Sequence, residues 1–520
     1  MTVYVVGLDG ADWSLLRPWA REGALPAFQR VLDEGVDGDL QSTLPPVTFP
    51  AWKCYSTGKT PGKLGVYEWY AYDRDEQTLS ANDASDFTSR EYWEVLADHG
   101  VDAGVVNMPT THPANAREME GVDVVAGSPA NERKTLTNPE SLKRELLDAV
   151  PEYRVKPDLV LDEATPDELV AEGKRLFDQR FDAATFLAEE RDRDLVHTTL
   201  FFTDTLQHRL WDHPEHLREA YEHVDERLGD LLDRDDADAV FLMSDHGFTE
   251  IDEIFLPNQW LAERGDLAFA DDGARTLLSG VGLTEERLKR FVDRLGLVSL
   301  AQRLVPKSVQ GLFPSESGRV AIQDAAIDWE ATKAVSVGRG PIYVNHAAFA
   351  DADDPAAAAK RYRESLADDL AALETPEGIP VVSAVHDPAD VYTGDRERGP
   401  DLVVEYTTGV DAPESVGGDV FGETTEWLAT HRRNGIFAGV GDDVGTGTAD
   451  LDLYDLAPTL LHYLDVPVPE DVDGNVRQDV LAGDAADRDV ETGPPSAIGA
   501  SDRGAGEEVE ETLRELGYLE

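Results

Sequence analysis

Short β-branched apolar runs recur along this chain, and three of them stop at or just before an acidic residue. Val3 to Leu8 is followed by Asp9-Gly10, Ala239 to Ser244 by Asp245-His246-Gly247, and Asp194 to Phe202 leads into Asp204. Asp102 to Val106 and Leu402 to Glu405 are runs of the same kind. Such runs, bounded by turn residues, predict strands buried on both faces. Between them lie helical patterns, at Trp13 to Arg21, Leu25 to Glu34, Glu215 to Leu232 and Tyr454 to Leu464. Alternation of the two confines the chain to a doubly wound, mostly parallel α/β sheet. In such sheets ligands bind beyond the carboxyl ends of the strands, where these acidic residues fall.

Two segments fit the alternation poorly. Residues 130–190 and 262–330 are charged, helix-rich and poor in strand signals. They read as helical insertions near the active-site end of one catalytic domain, residues 1–490, either shaping substrate access or simply packing. Residues 491–505, rich in Gly, Pro and Ser, read as a linker, and 506–520 as a C-terminal amphipathic helix.

Charge narrows the partners. The chain of 520 residues holds 104 acidic and 46 basic side chains, a formal charge of −58. With 41% apolar residues it can still bury a large core, so the acidity is not that of a disordered chain. A folded protein built for concentrated salt accounts for both facts, because at about 1 M salt the Debye length is only about 3 Å. No basic stripe is present for a nucleic-acid polymer, and anionic lipid surfaces are disfavoured. The lone Cys54 excludes an intramolecular disulfide and a cysteine-rich zinc site. No apolar run suits a membrane span, and the first residues lack a secretory pattern, so a soluble, cytoplasmic protein is expected.

Five places carry metal-type ligands or a nucleophile. They are Asp9; Thr48, in Pro-Val-Thr-Phe-Pro before a helical stretch; Asp204 with His208; Asp245 with His246; and the late His431. Each alone has an ordinary explanation, as a helix cap, a solvated helix face or a turn residue. Together they supply three Asp, three His and one hydroxyl, a donor stock that suits two divalent cations.

The order Gly-Leu-Asp-Gly, Thr-Phe-Pro, Asp-x-x-x-His, Asp-His-Gly and late His resembles the alkaline phosphatase superfamily, and more closely its type I phosphodiesterase/nucleotide pyrophosphatase branch. Residues 56–66, 398–404, 455–461 and the tail 513–519 are similar as well. The resemblance implies that Asp204, His208 and His431 hold a first metal and Asp9, Asp245 and His246 a second, with Thr48 beside it. It implies a phosphoester hydrolase working through a phosphothreonine on Thr48, on a small substrate, with two divalent ions such as Zn²⁺, Mn²⁺ or Fe. A phosphotransferase or mutase on the same machinery, or a non-catalytic metal-binding protein, is the alternative.

The chain departs from that pattern in one stretch. Where nucleotide pyrophosphatases carry a His-Gly pair and then an Asn on a phosphate oxygen, Leu64 and Trp69 stand here. Asn107, Lys59 and Lys63 are the candidates to replace that contact, unless they are merely solvated polar groups. Trp52, Trp69 and Tyr70 would line an apolar pocket or pack in the core. The sulfatase signature is missing around Cys54. Substrate and oligomeric state stay open.

Overall fold

The computed structural model describes residues 2–117, 119–128, 130, 135–270, 320–394, 398–422 and 427–499. Its centre is a ten-stranded sheet. Thr2–Leu8 lies in the middle, parallel to Leu195–Leu200 on one side and to Ala237–Met243 on the other. Ala103–Val106 and Val122–Val125 extend the parallel run beyond Leu195–Leu200. On the opposite side Asn434–Gly441 runs antiparallel between Ala237–Met243 and Val36–Gln41. Every residue of Thr2–Leu8 and of Leu195–Leu200 is buried, as a sheet covered by helices on both faces requires. The doubly wound, mostly parallel α/β architecture expected from the alternating pattern is the one observed.

The covering helices follow simple amphipathic logic. Pro214–Leu232 buries Leu217, Tyr221, Val224, Leu228 and Leu231, a stripe of helical period. Pro166–Glu189 starts at a capping box, Thr165 with Glu168, and buries Leu169, Leu176, Phe177, Ala184 and Leu187. This second helix corrects the reading of residues 130–190 as an insertion over one end of the sheet. It packs along Leu195–Leu200 and Ala103–Val106 and forms a crossover of the sheet itself. Dense charge on its outer face hid the apolar stripe.

A smaller antiparallel sheet, Ala334–Ser336, Pro341–Val344, Leu402–Tyr406 and Val382–His386, stands beside the main one and is backed by the helix Pro355–Ala371. Most of the expected insertion 262–330 and the expected terminal helix 506–520 lie outside the described residues. The described part of the expected linker is tied down. Thr492–Gly493 pairs with Val468–Pro469, and Ser496 receives Arg90 N–H on its carbonyl and donates its own N–H to Asp471. Among the described residues no helix is long and apolar enough to cross a membrane.

The helix Thr48–Thr57 is buried along its whole length and ends at Gly58, in a left-handed conformation with φ 66°. Its rear is held by a buried ion network, in which Lys53 meets Glu91 and Glu91 meets Arg117. Its front leans on the first strand, where the Trp52 indole sits close against Gly7. A Cβ on Gly7 would come within 2.4 Å of Trp52 Cη2. Only a residue without a side chain lets the helix approach this closely. Gly7→Ala is therefore expected to destabilise the fold by about 1–3 kcal/mol through overpacking. Denaturant unfolding would show it; an unchanged midpoint would mean that the indole yields freely.

Candidate active site

Three neighbouring parallel strands end at one place, and each delivers a carboxylate. Asp9 follows Thr2–Leu8, Asp245 follows Ala237–Met243, and Asp204 opens the helix Phe202–Leu210 directly after Leu195–Leu200. The same helix carries His208 one turn on, with Nε2 3.4 Å from Asp204 Oδ1. His431 arrives from a different part of the chain. Gly247–Glu250 pairs with Ala429–Arg432 in a register that sets Phe248 opposite His431. This places His431 Nε2 3.3 Å from Asp204 Oδ1 and 3.1 Å from His208 Nε2. The His246 and His431 rings stack with centroids 3.7 Å apart.

Two ligand groups emerge. In the first, Asp9, Asp245 and His246 each offer one atom, all within 4.8 Å of one another. In the second, Asp204, His246 and His431 do so by the same measure, with His208 Nε2 against Asp204 Oδ1 and His431 Nε2. His246 thus stands between the two, where the sequence suggested a clean division. Thr48 occupies the first turn of its helix, with Oγ1 3.2 Å from His246 Nε2. All seven residues expected from the sequence meet in one buried cluster.

The cluster's chemistry fits divalent cations. Each imidazole turns Nδ1 to a backbone carbonyl: His208 to Ala429 at 2.7 Å, His431 to Pro46 at 3.0 Å and His246 to Gly247 at 3.2 Å. A carbonyl only accepts, so Nδ1 bears the proton and Nε2 presents its lone pair inward. Burial holds His208 neutral, its pKa down to about 3, and depresses His246 in the same way. Burial and the neighbouring carboxylates Asp245 and Asp204 push Asp9 well above the usual carboxylate range; Asp245 rises for the same reasons, burial first and then Asp204. Asp9 Oδ1 and Asp245 Oδ2 receive no hydrogen bond. Crowded, desolvated carboxylates facing imidazole lone pairs form a donor set that a divalent cation stabilises.

A second layer fixes these groups, and little of it was readable from spacing. Trp52 Nε1 donates to Asp9 Oδ2 at 2.8 Å, and Gly10 N–H to Asp245 Oδ1 at 3.1 Å. Asp12 accepts from Arg432 Nε and Nη2 at 2.6 and 2.7 Å and from Phe248 N–H at 3.0 Å, locking the His431 strand to the first strand. Trp427 stacks on His208 with centroids 3.6 Å apart, and Arg339 sits over Trp427.

The candidate phosphate contacts fare differently. Lys59 Nζ pairs with Asp471 at 2.6 Å and Lys63 Nζ with Asp473 at 2.7 Å, so both ammonium groups anchor the 471–473 loop. Asn107 is left-handed, φ 59°, and donates from Nδ2 to Thr199 O at 2.9 Å. Its Oδ1 is buried without a hydrogen bond beside a small cavity that Phe202 also lines. Trp69 is buried against Phe49, and Trp52 is committed to Asp9, so the aromatic group packs in the core and forms no open pocket.

A cavity of about 320 Å³ opens beside His431 and Val47, the residue before Thr48.

Several solved structures share the fold. Phosphonoacetate hydrolase from Sinorhizobium meliloti 1021, in complex with phosphonoacetate, superposes with a TM-score of 0.53 at 14% identity, covering 88% of this chain and 94% of that one. Human ectonucleotide pyrophosphatase/phosphodiesterase 5 gives 0.51 at 13% identity, covering 93% of this chain and 100% of that one. Its murine counterpart, an inactive threonine-to-alanine variant in complex with AMP, gives 0.52 at 13% with the same coverage. No curated protein sequence matches the chain. Residues 3–432 match the sequence profile of type I phosphodiesterases/nucleotide pyrophosphatases. The chain is a member of that family of phosphoester hydrolases, within the alkaline phosphatase superfamily.

Proposed function

We propose that the chain is a two-metal phosphoester hydrolase whose nucleophile is Thr48. The observation that carries this reading is the position of Thr48 Oγ1, 3.2 Å from His246 Nε2 and at the first turn of a helix whose N-cap, Val47, makes no side-chain hydrogen bond. Asp9, Asp245 and His246 would hold one ion beside that hydroxyl, and Asp204, His208 and His431 the other. Zn²⁺ suits the mixed N/O donors, and Mn²⁺ or Fe would also fit. Bound there, the ions would acidify the attacking hydroxyl and neutralise the departing oxygen.

The chain's own groups do the rest. The uncapped N–H groups at the start of Thr48–Thr57 face a non-bridging phosphoryl oxygen and favour its charge. Thr48 Oγ1 bonds to phosphorus as the bond to the leaving oxygen breaks, giving a phosphothreonine and an alcohol. Water then attacks the same phosphorus, restores the hydroxyl and releases phosphate or a monoester. The inactive threonine-to-alanine variant of the murine neighbour supports assigning the attack to a threonine. Trp69, standing where nucleotide pyrophosphatases carry their phosphate-binding Asn, is buried against Phe49, which supports a substrate other than a nucleotide diester.

Thr48→Ala is expected to lower kcat on bis-p-nitrophenyl phosphate by about 10³-fold or more, since removal of a nucleophile has effects of that order or larger. Acid quenching of turning-over wild type should leave one phosphoryl group on the peptide holding Thr48. Full activity in the variant would sink the mechanism. Added acceptor alcohol would divert product if transfer, not hydrolysis, were the reaction. Trp52→Phe, which frees Asp9 Oδ2, should weaken Zn²⁺ or Mn²⁺ binding by about 10–100-fold in chelator competition. An unchanged affinity would mean that the Trp52 hydrogen bond does not hold Asp9 for metal binding.

We read the charge of −58 as adaptation to a cytoplasm of high salt. Tm should then climb steeply between 0.1 and 2 M KCl, with most of the gain reached near 1 M as screening saturates. A flat or falling Tm would contradict that reading.

A further inference from the structure

The residues at the reacting centre are closed off on nearly every side. Asp9, Thr48, Asp204, His208, Asp245 and His246 are all buried, and His431 alone of the seven keeps partial exposure. His431 and Val47 form part of the wall of the 320 Å³ cavity. That cavity touches the cluster through His431 and the residue before Thr48, so what lines it bears on what reaches the hydroxyl. Its volume suits a small molecule and is far too small for a polymer.

The lining inverts the charge of the protein. Acidic side chains outnumber basic ones 104 to 46 over the chain. Around this cavity stand three arginines, Arg339, Arg432 and Arg433, against two carboxylates, Glu405 and Asp411. The arginines are not equivalent. Arg432 is consumed by the two-pronged pair with Asp12. Arg339 is fixed, with Nε 2.9 Å from Asp411 Oδ1 and its guanidinium over Trp427.

Arg433 is held loosely. Its nearest carboxylate oxygen, Glu405 Oε1, is 3.7 Å away, and its bond to Ser42 O is long at 3.4 Å. The Gln41 amide oxygen, in the orientation that satisfies its surroundings, accepts from both Nη atoms at 3.2 Å, and Nε is buried with no hydrogen bond. A guanidinium whose hydrogen-bond partners are neutral oxygens, with Glu405 no closer than 3.7 Å, is free to pair with an incoming anion. Its planar fork matches a carboxylate or phosphate better than any other side chain can.

We propose that the substrate carries a second anionic group, a carboxylate or a further phosphate, on the part remote from the reacting phosphorus, and that Arg433 binds it in this cavity with Arg339 beside it. The inference rests on the reading of Thr48 and its neighbours as the phosphorus site. It names Arg433 as a specificity-determining residue.

Binding of non-reacting phosphonates separates the two ideas without turnover. Calorimetry on the Mn²⁺-loaded full chain would compare propylphosphonate, 3-phosphonopropionate and propane-1,3-bisphosphonate. The expected result is that at least one of the two ligands with a second anionic group binds about tenfold or more tightly than propylphosphonate, as a charge-assisted hydrogen bond allows. Whichever of them gains identifies the second anion as carboxylate or phosphate. Arg433→Gln should erase the preference and Arg433→Lys should keep part of it. Arg30→Gln, at an exposed arginine paired with Asp233, should leave the preference intact and so controls for net charge. Equal binding of all three ligands by the wild type, or a preference that survives Arg433→Gln, would overturn the subsite alone. Failure of all three to bind would overturn the phosphorus site and the subsite with it.

Discussion

Three carboxylates buried at the ends of three adjacent parallel strands repel one another, and the surrounding structure is arranged around that repulsion. Each ion removed from water costs several kcal/mol even after relaxation, and close like charges add to the cost. Asp9 and Asp245 answer by holding their protons well above the ordinary range. Divalent cations would relieve the same strain more completely. The support is already rigid. Trp52 and Gly10 position two of the carboxylates, and three backbone carbonyls orient three imidazoles.

This arrangement follows from the fold's topology. Parallel strands deliver their carboxyl ends to one edge, so a residue just past each strand is brought to a common point whatever the distance along the chain. Gly7 lets the Trp52 indole lie against the first strand, which seats the Thr48 helix over that point. The strand pairing of Gly247–Glu250 with Ala429–Arg432 then closes the cluster with His431.

Those features set what could be read beforehand. Asp9, Asp245 and Asp204 follow short apolar runs, and Asp204 with His208 has helical spacing, so their grouping was visible in local pattern. His431 lies 223 residues from the His208 nitrogen it meets, in a pairing with no periodic signature; only the ordered family motif pointed to it. Lys59 pairs with Asp471, 412 residues away, a partner that no local pattern marks. The Pro166–Glu189 helix looked like an insertion because its charged face dominates its composition, although its buried stripe is regular. Arg339 and Arg433 sit in loops, or at strand ends, with nothing local to mark them; their meaning comes from sharing one cavity in a very acidic chain.

The central claim is that two cations occupy the cluster, divided between the Asp9–Asp245 and Asp204–His208–His431 sides. Anomalous diffraction from crystals grown with Zn²⁺, recorded on both sides of the zinc edge, tests it most directly. The account predicts two peaks about 4 Å apart, both adjoining His246 and one next to Thr48 Oγ1. A single peak, or none, in crystals whose seven side chains are ordered would contradict it.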